Sequence, residues 1–302
     1  MIPIFVLTLK GSRRETIIRK RLNKLNLKFK FFYGVDGKNK KNHNLLKKNY
    51  NKKIAEFNLG RKMPYSEIAA SYGHLKIYKY IIKKKINRSL ILEDDAWPSK
   101  SLKKVLMKKN FPKKFHLVGL NCYDGFVEKK PDFKLTKKFS IHKAKTHLIT
   151  ISAYLITLKA CTKIIKKTKG KVITVPDWPI NFIKNNINSS ILLPYPVIID
   201  DKNFSYLRSD RDLNTPKNLL RKILPNYLIN FFSLFFYILH IPFLTGRYPD
   251  YNFFKEHFFD KKIAFLKNLI LKNLINTKEI YCEKKFYLEE LHYKVDAIKK
   301  LY

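Results

Sequence analysis

The stretch Ser89-Leu-Ile-Leu-Glu-Asp-Asp-Ala-Trp97 ends a short apolar run in three consecutive acids, Glu93, Asp94 and Asp95. An apolar run of this length reads as a buried strand, which sets the acids at a sheet edge. Three adjacent carboxylates repel one another and call for a cation among them. A hard divalent ion that also bridges phosphate oxygens meets that need, because Mg²⁺ commonly uses one or two carboxylates plus substrate phosphates. The plainer reading is a strand followed by a solvated acidic turn. Arg13 and Arg14 follow the first apolar run, where α/β folds commonly receive nucleotide phosphates, and they equally suit a solvated helix start. Glu67 and His74 lie seven residues apart, so on a helix they share a face. Asp200-Asp201 is a second acidic pair after an apolar run and a competitor for the same ion.

These residues need elements to hold them. Residues 2–9 predict a first strand, and the polar turn Lys10–Glu15 closes it. No basic segment precedes this run and Lys10 cuts it short, so it reads as a strand and not as a signal peptide. Glu15–Leu27 has helical spacing, with Ile17, Ile18, Leu22 and Leu25 on one side. Lys28–Tyr33 predicts a second strand before Gly34-Val-Asp-Gly37. Residues 38–62 are basic and irregular and read as a mobile excursion. A helix starts near Pro64, with Ser66 as its N-cap, and runs through Ile68, Leu75, Ile77 and Ile81. The acid-bearing strand follows, then a Lys-rich helix over 99–109, strands at His116–Leu120 and Leu148–Leu158, a helix over Lys159–Lys167 and the piece Val172–Val175. Ile191–Ile199 carries prolines and predicts an edge strand. This order predicts an α/β domain over residues 1–210, a mostly parallel sheet flanked by helices.

Residues 211–302 differ in character and predict a basic, aromatic-rich helical extension. Leu219–Leu244 is dense in Leu, Ile, Phe and Tyr, but Asn226, Asn230, Ser233, His240 and Pro242 interrupt it. A spanning helix needs about 20 mostly apolar residues, so a helix lying in the headgroup region fits better. A helix packed on the α/β domain fits equally well. Residues 261–275 and 283–300 predict amphipathic helices with basic polar faces.

The chain carries 63 Lys and Arg against 23 Asp and Glu, a formal net charge of +40, so an acidic partner or surface is expected. Lys, Asn and Ile are abundant together, as in AT-rich coding sequence, which weakens a nucleic-acid reading. The 23 Phe and 18 Tyr could stack on bases, yet no helix-turn-helix, zinc or RNA-binding aromatic signature accompanies them. Cys122, Cys161 and Cys282 are far apart and form no CxxC, which fits a reducing compartment.

Together these segments form a recognisable order: Phe5-Val-Leu-Thr-Leu9 with Arg13-Arg14-Glu15, Gly34-Val-Asp-Gly37, Ser66-Glu-Ile-Ala-Ala-Ser-Tyr-Gly-His-Leu75, Leu90-Ile-Leu-Glu-Asp-Asp-Ala96, Ala153-Tyr-Leu-Ile156 and Val175-Pro-Asp177. The chain resembles glycosyltransferase family 25, the lipooligosaccharide galactosyltransferases of Gram-negative bacteria and their collagen-modifying relatives. The resemblance covers roughly residues 1–210. It departs at Gly73, where the family usually has Ser, and at Gly34, where it tends to have Ala.

The resemblance implies a GT-A-like fold, a UDP-sugar donor, a divalent cation (Mn²⁺ or Mg²⁺) and inversion at the anomeric carbon. Asp95 would bind the metal against the diphosphate, with Asp94 beside it. Glu93 or Asp94 would hold the ribose or the donor sugar. Thr8, Arg13, Arg14, Glu67 and His74 would complete the donor site, although His74 also reads as a satisfied structural histidine. Asp177 would be the general base that deprotonates the acceptor hydroxyl, or else the N-cap of a following helix. The expected acceptor is a lipid-linked lipooligosaccharide saccharide. The expected location is the cytoplasmic face of an anionic inner membrane. A nucleic-acid-binding protein and a non-catalytic membrane-surface protein are the readings from other classes.

Overall fold

The computed structural model describes residues 2–59, 61–107, 111–122, 125–145, 148, 151–200 and 279–282. The chain opens with β1 (Ile4–Thr8), α1 (Arg13–Lys24) and β2 (Lys30–Tyr33). The helix starts two residues before the expected Glu15 because Ser12 caps it, its Oγ accepting the Glu15 N–H at 3.1 Å. Next come α2 (His43–Lys48), α3 (Lys52–Leu59), α4 (Tyr65–Lys83), β3 (Arg88–Glu93), β4 (Ala96–Pro98) and α5 (Ser101–Leu106). The order continues with β5 (Leu117–Gly119), β6 (Phe126–Glu128), β7 (Phe133–Lys134), β8 (Ser140–Lys143), β9 (Ala153–Thr157), α6 (Leu158–Thr168), β10 (Ser189–Leu193), β11 (Val197–Ile199) and β12 (Glu279–Tyr281).

Eight strands form one sheet in the order β2-β1-β3-β9-β5-β10-β8-β7. Following the pairings across it, six strands share one direction while β9 and β8 run against them. The sheet is therefore mostly parallel, as expected. Both of its faces are buried, which is why its strands read as unbroken apolar runs. Phe5, Ile91, Tyr154 and Ile156 face a core shared with α4 and α6. Ile4, Val6, Leu90, Leu92 and Leu155 face a second core with α1 and α5. β2 and β3 flank β1 on opposite sides, reached through α1 and α4 on opposite faces. That reversal of winding opens a crevice at the carboxyl ends of β1 and β3, where open α/β sheets bind ligands.

Three expectations fail. Residues 38–62 are not an irregular excursion, since they contain α2 and α3. Only Leu46, Ala55 and Leu59 are buried there, too few apolar positions to make a helical stripe visible among lysines. Long-range bonds hold the segment: Asn51 N–H to Val172 O at 2.9 Å, Val172 N–H to Asn49 O at 2.8 Å and Asn58 Nδ2 to Ile173 O at 2.9 Å. Ser66 does not cap α4. Pro64 holds the cap position, and Ser66 is buried inside the first turn. The run Ile191–Ile199 is not one edge strand. β10 ends before Pro194 and lies between β5 and β8, and β11 pairs instead with β4. Prolines 194 and 196 donate no N–H, so the ladder stops between the two pieces.

β12 pairs antiparallel with β6, and the Cys282 N–H bonds Gly125 O at 2.8 Å. The chain thus returns to the domain near residue 280. The expected helices at 219–244, 261–275 and 283–300 lie outside the described residues. Among the described residues no helix is long and apolar enough to cross a membrane.

Two glycines separate a hard constraint from a soft one. A Cβ on Gly37 would stand 2.4 Å from Tyr65 O and 2.5 Å from Ser66 N, all backbone, whereas one on Gly34 meets nothing nearer than 3.6 Å. His43 also binds here, its Nε2 3.0 Å from Gly37 O and its ring stacked on Tyr65. Gly37→Ala is expected to cost about 1–3 kcal/mol by forcing α4 off its seat, and Gly34→Ala to be near neutral. Paired thermal melts check this, and equal losses would show that the loop does not seat the helix.

Candidate active site

The acids stand where β1 and β3 end together. Leu7 pairs with Glu93 in the ladder, so Thr8 reaches the acidic turn and its Oγ1 donates to Asp94 Oδ2 at 2.8 Å. Arg14, on the first turn of α1, supplies the cation that the triplet requires. Its Nη1 lies 3.2 Å from Asp94 Oδ1 and 3.6 Å from Asp95 Oδ2. Arg13, its neighbour, is exposed. Gly11 N–H and Tyr33 hydroxyl both donate to Glu15, which with Arg19 fixes the turn that aims Arg14.

The turn is clamped from the other side as well. The Asp200 N–H bonds Asp95 O at 2.8 Å, at the end of the β4–β11 pair. The Asp200 carboxylate is held by Arg21, which also donates to Ala96 O at 3.3 Å and lies over the Trp97 ring at 4.2 Å. Asp200 is thereby engaged in positioning Asp95. Its expected competition for a metal has no support here, and Asp201 lies outside the described residues.

Burial shapes the electrostatics. Asp94 is pushed above its ordinary value by burial, with the Thr8 hydroxyl and Arg14 pulling it back. Asp95 is pushed up to about 8 by burial and then by the Glu93 charge, against Arg14. The Asp95 side chain keeps 19% of its surface exposed, yet its Oδ1 is buried with no hydrogen-bond partner among the described residues. An orphaned carboxylate oxygen beside a second carboxylate fits a hard divalent ion. Among the described residues no three His, Cys, Asp or Glu side chains converge as a complete ligand shell.

Glu93 faces away from Arg14, toward α4. His74 Nε2 lies 3.2 Å from Glu93 Oε1, and His74 Nδ1 lies 2.6 Å from the Tyr154 hydroxyl. α4 passes close to β1 here: a Cβ on Gly73 would sit 2.8 Å from Leu7 Cδ1, a contact with a flexible side-chain end that Leu7 could relieve by shifting. Glu67, one face-repeat earlier, does not join this group. It is wholly buried in a two-pronged ion pair with Arg61, at 2.8 and 2.9 Å. Arg61 carries no signal in the sequence beyond being one of many basic residues.

Asp177 reaches the site from the turns after α6, on the same face of the sheet as α4. It lines a narrow cavity together with His74, Tyr78, Glu93, Ile151 and Tyr154. Its Oδ1 accepts the Ile151 N–H at 3.1 Å. Turns, not a helix, follow it, so it caps nothing. Motif and spacing do not single out Tyr154 and Tyr78, although a phenol inside a buried strand signals a polar handle that needs a partner. Nor do they single out Asn121, which anchors the neighbouring chain by accepting the Ser152 and Ala153 N–H groups.

The chain belongs to glycosyltransferase family 25, described as an LPS biosynthesis protein, and the match covers residues 1–178. That span contains every candidate from Thr8 to Asp177 and leaves Asp200 outside. It is shorter than the 1–210 over which the motifs suggest the likeness. Two solved structures are similar in part. Mannose-1-phosphate geranyltransferase from Thermus thermophilus is 8% identical at a TM-score of 0.37, covering 66% of this chain and 75% of its own. Mouse xyloside xylosyltransferase 1, in its apo form, is 13% identical at 0.31, covering 62% and 70%. Likenesses this partial carry no weight in assigning a function. Among the curated proteins none matches the chain. The protein is a glycosyltransferase, and its family sets it in LPS biosynthesis.

The raised Asp95 value has a stability consequence. The folded protein keeps a proton that the unfolded chain releases above about pH 4, so metal-free stability falls as pH climbs toward about 8. Asp95→Asn removes the buried charge and is expected to flatten this slope and add about 1 kcal/mol or more near pH 8. Urea melts from pH 5 to 8 check it. An unchanged slope would mean that Asp95 is solvated in the folded state.

Proposed function

We propose that this glycosyltransferase moves a sugar, most readily galactose, from a UDP-sugar to the saccharide of a lipid-linked lipooligosaccharide acceptor, with inversion. The observation that carries this reading is the placement of the Glu93–Asp95 turn at the crevice between β1 and β3, with Asp177 across the adjoining cavity. Galactose, UDP and the acceptor class rest on the family resemblance.

In this reading Asp95, with Asp94, holds Mn²⁺ or Mg²⁺. When bound there, such an ion would supply Lewis-acid neutralisation of the diphosphate leaving group. Arg14 and Thr8 hold Asp94 and Asp95 in register, and Arg14 adds positive charge beside the phosphates. Glu93 accepts hydrogen bonds from hydroxyls of the donor. The acceptor hydroxyl oxygen attacks the anomeric carbon from the face opposite UDP. As that C–O bond forms, the bond to UDP breaks, UDP leaves with the electron pair, and the acceptor proton passes to Asp177. Water-poor surroundings strengthen each of these charge interactions.

Asp95→Ala is expected to lower Mn²⁺-dependent UDP-sugar turnover by about a hundredfold or more without unfolding the protein. Asp177→Asn is expected to lower transfer about 10²–10⁴-fold while the donor KM stays near the parent value. A panel of UDP-sugars assayed with and without Mn²⁺ measures both, and an unaltered rate for Asp95→Ala would sink the site.

The +40 charge supports a cytoplasmic enzyme held peripherally on anionic lipid, at about 1 kcal/mol per basic residue near the surface. The full-length protein should sediment with anionic vesicles and release as salt rises. Equal binding to neutral vesicles would remove the membrane from the proposal. Truncation is a poor test, because β12 belongs to the domain.

A further inference from the structure

Tyr154 and Tyr78 have no role in the proposed transfer, yet they form the far end of a continuous buried chain. Tyr154 lies in β9 and is 4% exposed, and Tyr78, one helical turn beyond His74 on α4, is 1% exposed. Their hydroxyls are 2.7 Å apart, and the Tyr154 hydroxyl is 2.6 Å from His74 Nδ1. The Tyr154 ring also stacks on the imidazole, with centroids 5.8 Å apart. Burial pushes both phenols above their ordinary range, so each keeps a hydrogen to donate.

A phenol has one hydrogen, and an imidazole with one N–H donates from one nitrogen and accepts at the other. Two directions are therefore self-consistent. In one, hydrogens run from Tyr78 to Tyr154, from Tyr154 to Nδ1, and from Nε2 to Glu93 Oε1. In the reverse, Nδ1 donates to Tyr154, and Nε2 turns a lone pair on a carboxylate 3.2 Å away. That second arrangement sets two acceptors against each other at the end of the chain. The carboxylate thus selects the first direction, and the tyrosines must supply it.

We propose that Tyr154 is a positioning residue. Its hydroxyl, oriented by Tyr78, donates to Nδ1 and fixes the plane of the imidazole, whose Nε2 hydrogen, selected by the carboxylate, aims Glu93 into the cavity it shares with Asp177. The effect on turnover rests on the transferase reading, but the tautomer does not.

The experiment records nitrogen-15 spectra of the full-length protein labelled in histidine, with His74→Gln identifying the signal, alongside kinetics with UDP-galactose and Mn²⁺. The parent protein is expected to carry the His74 hydrogen on Nε2. Tyr154→Phe is expected to leave the hydrogen on Nε2, to move the His74 Nδ1 signal as that nitrogen loses its hydrogen bond, and to lower kcat about 10–100-fold, with donor KM near the parent value. Tyr78→Phe should move both in the same direction by less, and it serves if Tyr154→Phe does not fold. A merely structural tyrosine would lower the melting temperature and leave kcat alone. Hydrogen on Nδ1 in the parent, or an unmoved Nδ1 signal with unchanged kcat in both variants, overturns the proposal. If the parent turns over no UDP-sugar, the transfer reading fails while the spectra still decide the tautomer.

Discussion

Three carboxylates in sequence at the end of a strand buried on both faces make an electrostatic problem that the surrounding structure is built to contain. Removing charge from water costs more than a surface ion pair returns, so each acid needs its own partner. Asp94 takes Thr8 and Arg14, Glu93 takes His74, and Asp95 shares Arg14 while its Oδ1 goes without. The partners come from β1, α1 and α4, so the cluster ties together the three elements that meet at the crevice. The one deficit within this cluster falls on Asp95, the residue to which the proposed metal is assigned. Energy held in an unsatisfied site is a common mark of function.

Precision there depends on packing that contains no charge. His74 reaches Glu93 because α4 lies close on β1, where Gly73 packs against the Leu7 side chain. Gly37 in turn lets the loop after β2 close onto the first turn of α4. The departure from the family's Ser at position 73 thereby has a steric meaning, since Leu7 fills the space a side chain would need. The departure at Gly34 has none, because an added Cβ there meets only ordinary contacts.

The positive charge of the chain has two scales. At contact distance, Arg14 is committed to Asp94 and Asp95, Arg21 to Asp200 and Arg61 to Glu67. Most of the lysines in the described regions are at least partly exposed and act collectively as a field, which attracts anionic surfaces and is screened by salt. The return of the chain as β12 links its C-terminal part to β6, so the basic, aromatic-rich stretch between residues 200 and 279 is bracketed by the domain at both ends.

Much of the domain was legible because both faces of the sheet are buried. Continuous apolar runs marked β1, β3 and β10, and the acids after β3 announced a site without help from geometry. Periodicity located α1, α4 and α6 to within three residues. It missed α2 and α3, whose few buried residues gain their helices from bonds to residues 172 and 173, more than a hundred positions away. The sequence by itself determined which residue types meet at the edge of the sheet, since strand order and apolar content follow from local pattern. Only the tertiary structure decided their pairing. It gave the acids Arg14 and not Arg13, locked Glu67 onto Arg61, turned Asp200 into a clamp, and put Tyr154 behind His74. Each of those outcomes depends on distances between segments remote in the chain, and no spacing within a single segment encodes them.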